Sequence, residues 1–342
     1  MFGLAPLPRH LQAALADARH EKQSVRLSAV RDLARLAADP EARAEALDAL
    51  CRVLAKDEAA TVRAEAALAL ADAEGSEGVE SLLDALEDAH LEVRQMAWVA
   101  LGELGAESPR ARDAVAGALG DDAPAIRFQA LIAAHRLLGD GAASAIGDKV
   151  GDPDPLVRAM ALRLAEEREL HTVVPAAKRA LDDEELSVRL AAAIFLARLG
   201  HRDGGKVMVS ALSAPRGQLS PEDEQAAIEL SAELGLKKAR PALERRAFGV
   251  FGVSRDPFAW HARIALARLG HPRAKEAILK GLSAWTRDAR TLAVVAAGRA
   301  HLSEAKETLA AMAKDTSRAD PDAVREALAL VDKGLAASES HR

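Results

Sequence analysis

Two stretches of the sequence, DEELSVRLAAAIFLARLG at residues 183–200 and DAHLEVRQMAWVALGELG at residues 88–105, follow one template. An aspartate stands five positions before an aliphatic residue followed by arginine. An alanine comes four positions after that aliphatic residue, and Leu-Gly closes the stretch. The aliphatic-arginine pair recurs at Val25-Arg26, Val62-Arg63, Val93-Arg94, Ile126-Arg127, Val157-Arg158 and Val188-Arg189. Aligning the alanine and leucine behind it extends the register to Asp223, Phe258, Ala289 and Val324. A repeat of this kind decides the architecture before any local propensity does.

Ala29, Ala66, Ala97, Ala130, Ala161, Ala192, Ala227, Ala262 and Ala293 form one column, four residues after each register position. Leu33, Leu70, Leu101, Leu196 and Leu266 form a second, at offset eight. Offsets of 0, 4, 8 and 11 share one helical face, so the columns are the buried stripe of one helix per repeat. Small residues there let neighbouring helices approach closely. The aspartates Asp57, Asp88, Asp121, Asp152 and Asp183 fall in the turn before that helix, a place to cap it and to meet arginines of adjacent repeats. A first helix precedes each turn, as in EARAEALDALCRVLAK. Asp39-Pro40, Ser108-Pro109 and Ser220-Pro221-Glu222 read as helix starts, and Gly105, Gly200, Gly235 and Gly270 as left-handed helix ends.

Composition agrees. Apolar residues make up 49% of the 342, but aromatics only 3% and tyrosine none, leaving alanine and leucine to build the interior. That favours packed helices over strands. The net charge of −6 disfavours duplex binding. The single cysteine, Cys51, lies among leucines and reads as an inert buried thiol. The N-terminal stretch is not a standard signal peptide, and no apolar run is long enough to span a bilayer, so the chain is expected in the cytoplasm.

These segments resemble HEAT repeats, in particular the bacterial form named after phycobilisome lyases. The resemblance is strong over residues 40–200 and weaker over 204–334. It implies an all-α, right-handed α-solenoid of about ten antiparallel helix pairs, with the second helices lining a concave side. On this reading residues 1–342 form one solenoid: an N-terminal capping repeat at 1–38, regular repeats at 39–203, divergent repeats at 204–300, and a C-terminal cap and tail at 301–342.

Offsets 2, 6 and 9 point away from the buried stripe, onto the expected concave surface. They include Phe128, Ile132 and His135, then Arg163 and Glu166, Leu190 and Ile194, Gln225 and Glu229, and Trp260 and Ile264. Such a face suits an amphipathic helix or an extended peptide from a protein partner, with the polar members setting register. A second candidate surface is the break in the pattern, AFGVFGVSRDPFAW, which carries Phe248, Phe251, Phe258 and Trp260, with Trp285 one helix later. The competing reading is that these aromatics fill an irregular joint.

No His-Glu-x-x-His, Gly-x-Ser-x-Gly or phosphate-loop motif occurs, and no cofactor or metal is expected. The reading is a non-enzymatic scaffold. Two alternatives come with the architecture: a bilin-lyase-like subunit, and a repeat-type alkylpurine DNA glycosylase, which would need a basic groove with tryptophans such as Trp98, Trp260 and Trp285.

Overall fold

Every register position from Val25 to Val188 sits in the first turn or two of a helix, and another helix precedes it across a tight turn. A computed structural model describes residues 10–105, 108–215, 217–249 and 256–339. Among these the chain forms twenty α-helices and no strand. Contacts divide it into two units, residues 1–173 and 174–342.

In the first unit the pairs are α1 (Leu11–Asp17) with α2 (Gln23–Leu36), α3 (Pro40–Lys56) with α4 (Ala60–Asp72), and α5 (Val79–Ala85) with α6 (Leu91–Leu104). They continue with α7 (Pro109–Ala118) and α8 (Pro124–Leu137), then α9 (Ala142–Lys149) and α10 (Pro155–Glu167). The second unit holds α11 (Val174–Ala180) with α12 (Leu186–Arg198), α13 (Gly205–Leu212) with α14 (Pro221–Glu233), and α15 (Arg240–Phe248) with α16 (Ala259–Arg268). Its last pairs are α17 (Pro272–Gly281) with α18 (Arg287–Arg299) and α19 (Lys306–Lys314) with α20 (Pro321–Glu339). Short connections make the two helices of a pair antiparallel neighbours. Second helices pack in chain order, α2 through α10 in one unit and α12 through α20 in the other, so each unit is a stack of helix pairs.

The alanine column explains the stacking. All nine alanines are 0% exposed, as are the five leucines at offset eight. At full burial, a side chain larger than a methyl would have to displace its neighbours. The tenth register is one residue earlier than the sequence suggests. Ala327 and Val331 are buried whereas Leu328 is only half-buried and Asp332 exposed, so Ala323 rather than Val324 matches the earlier repeats.

The turns are held by one repeated device. Asp57 Oδ1 accepts a hydrogen bond from the backbone N–H of Ala59 at 2.9 Å, and Asp88, Asp121, Asp152 and Asp183 do the same two residues on, at 2.8–3.0 Å. The aspartate thus closes an Asx turn and is not itself the helix cap, a position held by Ala59, His90, Ala123, Asp154 and Glu185. The arginine six residues after each aspartate bends back onto its own turn. Arg63 donates to Asp57 O at 2.7 Å, and Arg94, Arg127, Arg158 and Arg189 make the equivalent bond. Arg290 repeats it on Ala284 O at 2.8 Å, so the ninth repeat keeps the arginine although its aliphatic partner has become Ala289.

Arg26, Arg63 and Arg127 also reach forward to the aspartate of the following repeat. Arg26–Asp57, Arg63–Asp88 and Arg127–Asp152 are two-pronged contacts with prongs of 2.7–3.0 Å. The expected Asp-to-Arg ladder therefore exists at these three steps, with both side chains at most 14% exposed. A fork of this geometry fixes the distance and angle between successive pairs.

Helix ends follow the sequence signals. Asp39 accepts from Glu41 N–H and Ser220 from Asp223 N–H. Ser108 precedes Pro109 at a helix start without a side-chain cap bond. Gly105, Gly200, Gly235 and Gly270 are left-handed, at φ between 59° and 82°. Glu74, Glu169 and His301 occupy the same kind of slot at φ 48–52°, where glycine would be unstrained. Cys51 is half-buried against the core and not enclosed, a departure from the sequence reading.

Candidate functional site

In the first unit, α8 presents Phe128, Ile132 and His135 along one line, all partly exposed. His135 is clamped rather than free. Its Nδ1 accepts from Arg168 Nε at 2.8 Å, and its Nε2 lies 3.2 Å from Glu167. Burial and the adjacent Arg168 charge lower the His135 pKa, so the ring is neutral near pH 7. Arg163 and Glu166 follow on α10, half-buried, each engaged in a polar interaction.

In the second unit the expected residues separate into two groups. Leu190 is 0% and Ile194 6% exposed, and both belong to the hydrophobic core. They cannot line an open face as the helical wheel placed them. The reason is that α12 is buried on all sides from Leu190 to Ala197. Gln225, Glu229 and Ile264, in contrast, line an open cleft of about 410 Å³. Its walls come from α14, α16 and α18, with His301 beyond the end of α18 and Leu330 on α20. Gln225 Nε2 donates to Glu229 Oε1 at 3.0 Å, and Glu233 pairs with Arg268 at 3.5 Å. His301 Nδ1 meets Leu330 O at 2.8 Å, while His261 Nδ1 is buried with no hydrogen-bond partner.

The aromatic break gives a mixed answer. Phe248 and Trp260 are half-buried, packed on the core at one side and covered by arginine at the other. Phe251 lies outside the described residues. Trp285, in the turn between α17 and α18, is 96% exposed. Trp98 is 3% exposed and part of the core of the first unit, so it is closed to any ligand.

The eighth repeat keeps an aspartate that the fixed register hides. Asp256 accepts from Phe258 N–H at 2.9 Å, as its counterparts do two residues before a helix cap. Arg246 on α15 supplies the cation, 3.8 Å from Asp256 and 3.2 Å from Glu224. Sequence reading also missed the local charge. Between Lys237 and Arg273 there are nine Lys or Arg and two Asp or Glu, in a chain of net charge −6. A running charge sum over windows would have found it, whereas the chain total conceals it.

Among the described residues no group of three or more His, Cys, Asp or Glu could hold a metal ion. No helix among them is long and apolar enough to cross a membrane.

Residues 47–136 match the family of HEAT repeats. Among curated proteins none matches the chain. The YibA protein of E. coli is similar in structure at 17% identity and TM-score 0.51, over 76% of this chain and 92% of its own. The CpcE–CpcF complex of phycocyanin lyase from a Nostoc species gives 19% identity and TM-score 0.42, over 71% and 96%. A designed armadillo repeat protein in complex with a Lys-Arg repeat peptide gives 19% and 0.38, over 56% and 99%. The match to HEAT repeats covers residues 47–136, and the stacked helix pairs continue on both sides of that stretch.

Proposed function

We propose that this chain is a non-catalytic scaffold that holds a protein partner on the outward faces of its second helices. The observation that carries the reading is a line of partly exposed apolar side chains flanked by anchored polar ones. Phe128 and Ile132 stand beside the His135–Arg168–Glu167 cluster, and Ile264 stands beside the Gln225–Glu229 pair. A face meant only for water would carry charge at these positions. Half-buried aliphatic and aromatic residues give an incoming helix or extended peptide places to seat its own apolar residues, and pre-formed hydrogen-bonded pairs fix register at little entropic cost. Phe128, Ile132, His135, Arg163 and Glu166 form the binding face of the first unit, and Gln225, Glu229, Trp260 and Ile264 that of the second. Phe248 and Trp285 belong to a further surface. The cytoplasm is the compartment of this activity.

The test is site-specific photo-crosslinking in the native cell. A crosslinking side chain at Ile132 or Ile264 should trap one partner that the same group at Arg110, on a first helix, does not. Phe128→Asp should abolish the first adduct while the circular dichroism of the chain stays unchanged. Equal trapping from Arg110 would remove the proposal. A bilin band that co-purifies with the chain, or release of alkylated purines from duplex DNA, would replace the scaffold with one of the two enzymatic readings.

A further inference from the structure

The stretch from Lys237 to Arg273 is a basic island whose few acids are already committed. Glu244 lies 3.0 Å from His271, and Asp256 faces Arg246 while closing its own turn. Arg263 on α16 and Arg273 on α17, like Arg240 and Arg245 on α15, have no carboxylate partner among the described residues, and they alone of these four lie over aromatic rings. Residues 250–255 contain no Asp or Glu that could serve them. The guanidinium of Arg263 lies 5.4 Å from the Phe248 ring centre and 5.0 Å from that of Trp260, and Arg273 lies 4.2 Å from Phe248. Arg263 Nε is held by Ala247 O at 3.3 Å.

This arrangement positions two cations and compensates neither. Burial lowers the Arg263 pKa from its ordinary value, and the charge of Arg273 adds to the effect. Aromatic faces orient a guanidinium and offset part of its desolvation, but a carboxylate would do so far more effectively. Elsewhere the chain pairs its buried arginines with aspartate, as at Arg26, Arg63 and Arg127. The missing counter-charge is the feature that points outward.

We propose that Arg263 and Arg273, set on the Phe248 and Trp260 rings, bind an acidic segment of a protein partner through its carboxylates. The proposal rests on the scaffold reading only in requiring a protein partner, and it names the chemistry of that partner. Charge selects the occupant. Outside this island the chain is acidic, and that field repels a long polyanion such as a nucleic acid while leaving room for a short acidic segment.

Fluorescence anisotropy of a labelled peptide of four Asp-Leu repeats, with the purified full chain, tests this directly. Binding should be saturable, should weaken with salt, and should fall at least tenfold in Arg263→Gln with Arg273→Gln. Arg110→Gln with Arg112→Gln removes the same charge from the first unit and should change binding less than twofold. Arg273→Gln alone, at an exposed position, is the safeguard should the double variant misfold, and it should also weaken binding. Equal losses in both double variants would show a non-specific field and overturn the proposal. So would binding of a twelve-residue oligothymidylate as tight as that of the peptide, or competition by inorganic phosphate at concentrations comparable to the peptide's. Ile264→Asp separates the two proposals. Peptide binding that survives it, with partner capture by a crosslinking side chain at Gln225 of the same cleft lost, keeps the acidic-segment site independent of the cleft.

Discussion

The contrast between Gly147 and Gly204 shows how little room a single side chain has. A Cβ on Gly147, inside α9, would sit 3.8 Å from Val173, an ordinary contact. A Cβ on Gly204 would fall 2.6 Å from the Cα of Ala193, where the backbone of α12 cannot move away. Gly147→Ala should therefore raise stability by up to about 1 kcal/mol through helix propensity. Gly204→Ala should lower it by about 1–3 kcal/mol through overpacking. Urea midpoints of the two variants check both signs. Ion pairs obey the same local logic. Burial pushes the Asp152 carboxyl up, but the bonds from Arg127 and neighbouring donors overcome this and hold it below the ordinary carboxylate range. The Arg63 hydrogen bond lowers Asp88 in the same direction. A folded-state pKa below the unfolded value of about 3.9 means that these groups stabilise the fold above that pH. Their contribution is lost as pH falls through the unfolded value toward the folded one. Arg127→Leu leaves Asp152 buried and partly uncompensated, at a cost of about 3 kcal/mol at pH 7. Part of that loss should return as acid neutralises the carboxyl, so unfolding at pH 7 and pH 4 should separate the variant from wild type more at the higher pH.

At the scale of the helix, α12 explains both what the sequence revealed and what it concealed. The alanine column was legible because a residue that must be small at every crossing leaves the same letter nine times, and all nine are fully buried. The outward face was legible only where a helix has one. On α8 and α14 the wheel found half-exposed residues, but α12 is enclosed from Leu190 to Ala197, and an all-apolar helix carries no phase to read. The turn aspartates were visible as a column, but their role was misjudged by two residues because an Asx turn and a helix cap use the same residue type. Asp256 was invisible because the helix it precedes starts late, which shifts the turn against the register of the alanines. From burial it follows that Leu190→Asp acts on folding. It should unfold part of the second unit, seen as lost helical signal, whereas Ile264→Asp should leave that signal intact. If both variants retain full helicity, the distinction drawn between core and face is wrong.

For the whole chain, the stacked pattern of contacts dictates how stability is distributed. Second helices in each unit touch the ones before and after them, and the buried apolar residues form one cluster centred on α3 to α8 and another running from α12 to α20. Repeat arrays of this type behave as coupled neighbours and not as one closed core, so a local defect should spread only as far as the coupling reaches. Leu101, fully buried on α6, offers a clean perturbation. Leu101→Ala should cost about 2–5 kcal/mol locally. Its signature in hydrogen exchange should be a graded loss of protection, greatest in α6, smaller in its neighbours α4 and α8, and smaller again in α2 and α10. The buried forks Arg26–Asp57 and Arg63–Asp88 link α2 to the turn before α4 and α4 to the turn before α6, and they should make the gradient shallower on that side. Arg94, whose bonds go to its own turn at Asp88 and Ala89, should let it fall more steeply toward α8. A uniform loss across all helices of the unit would mean that the repeats fold as a single cooperative body, and the forks would then be decoration on a core that does not need them.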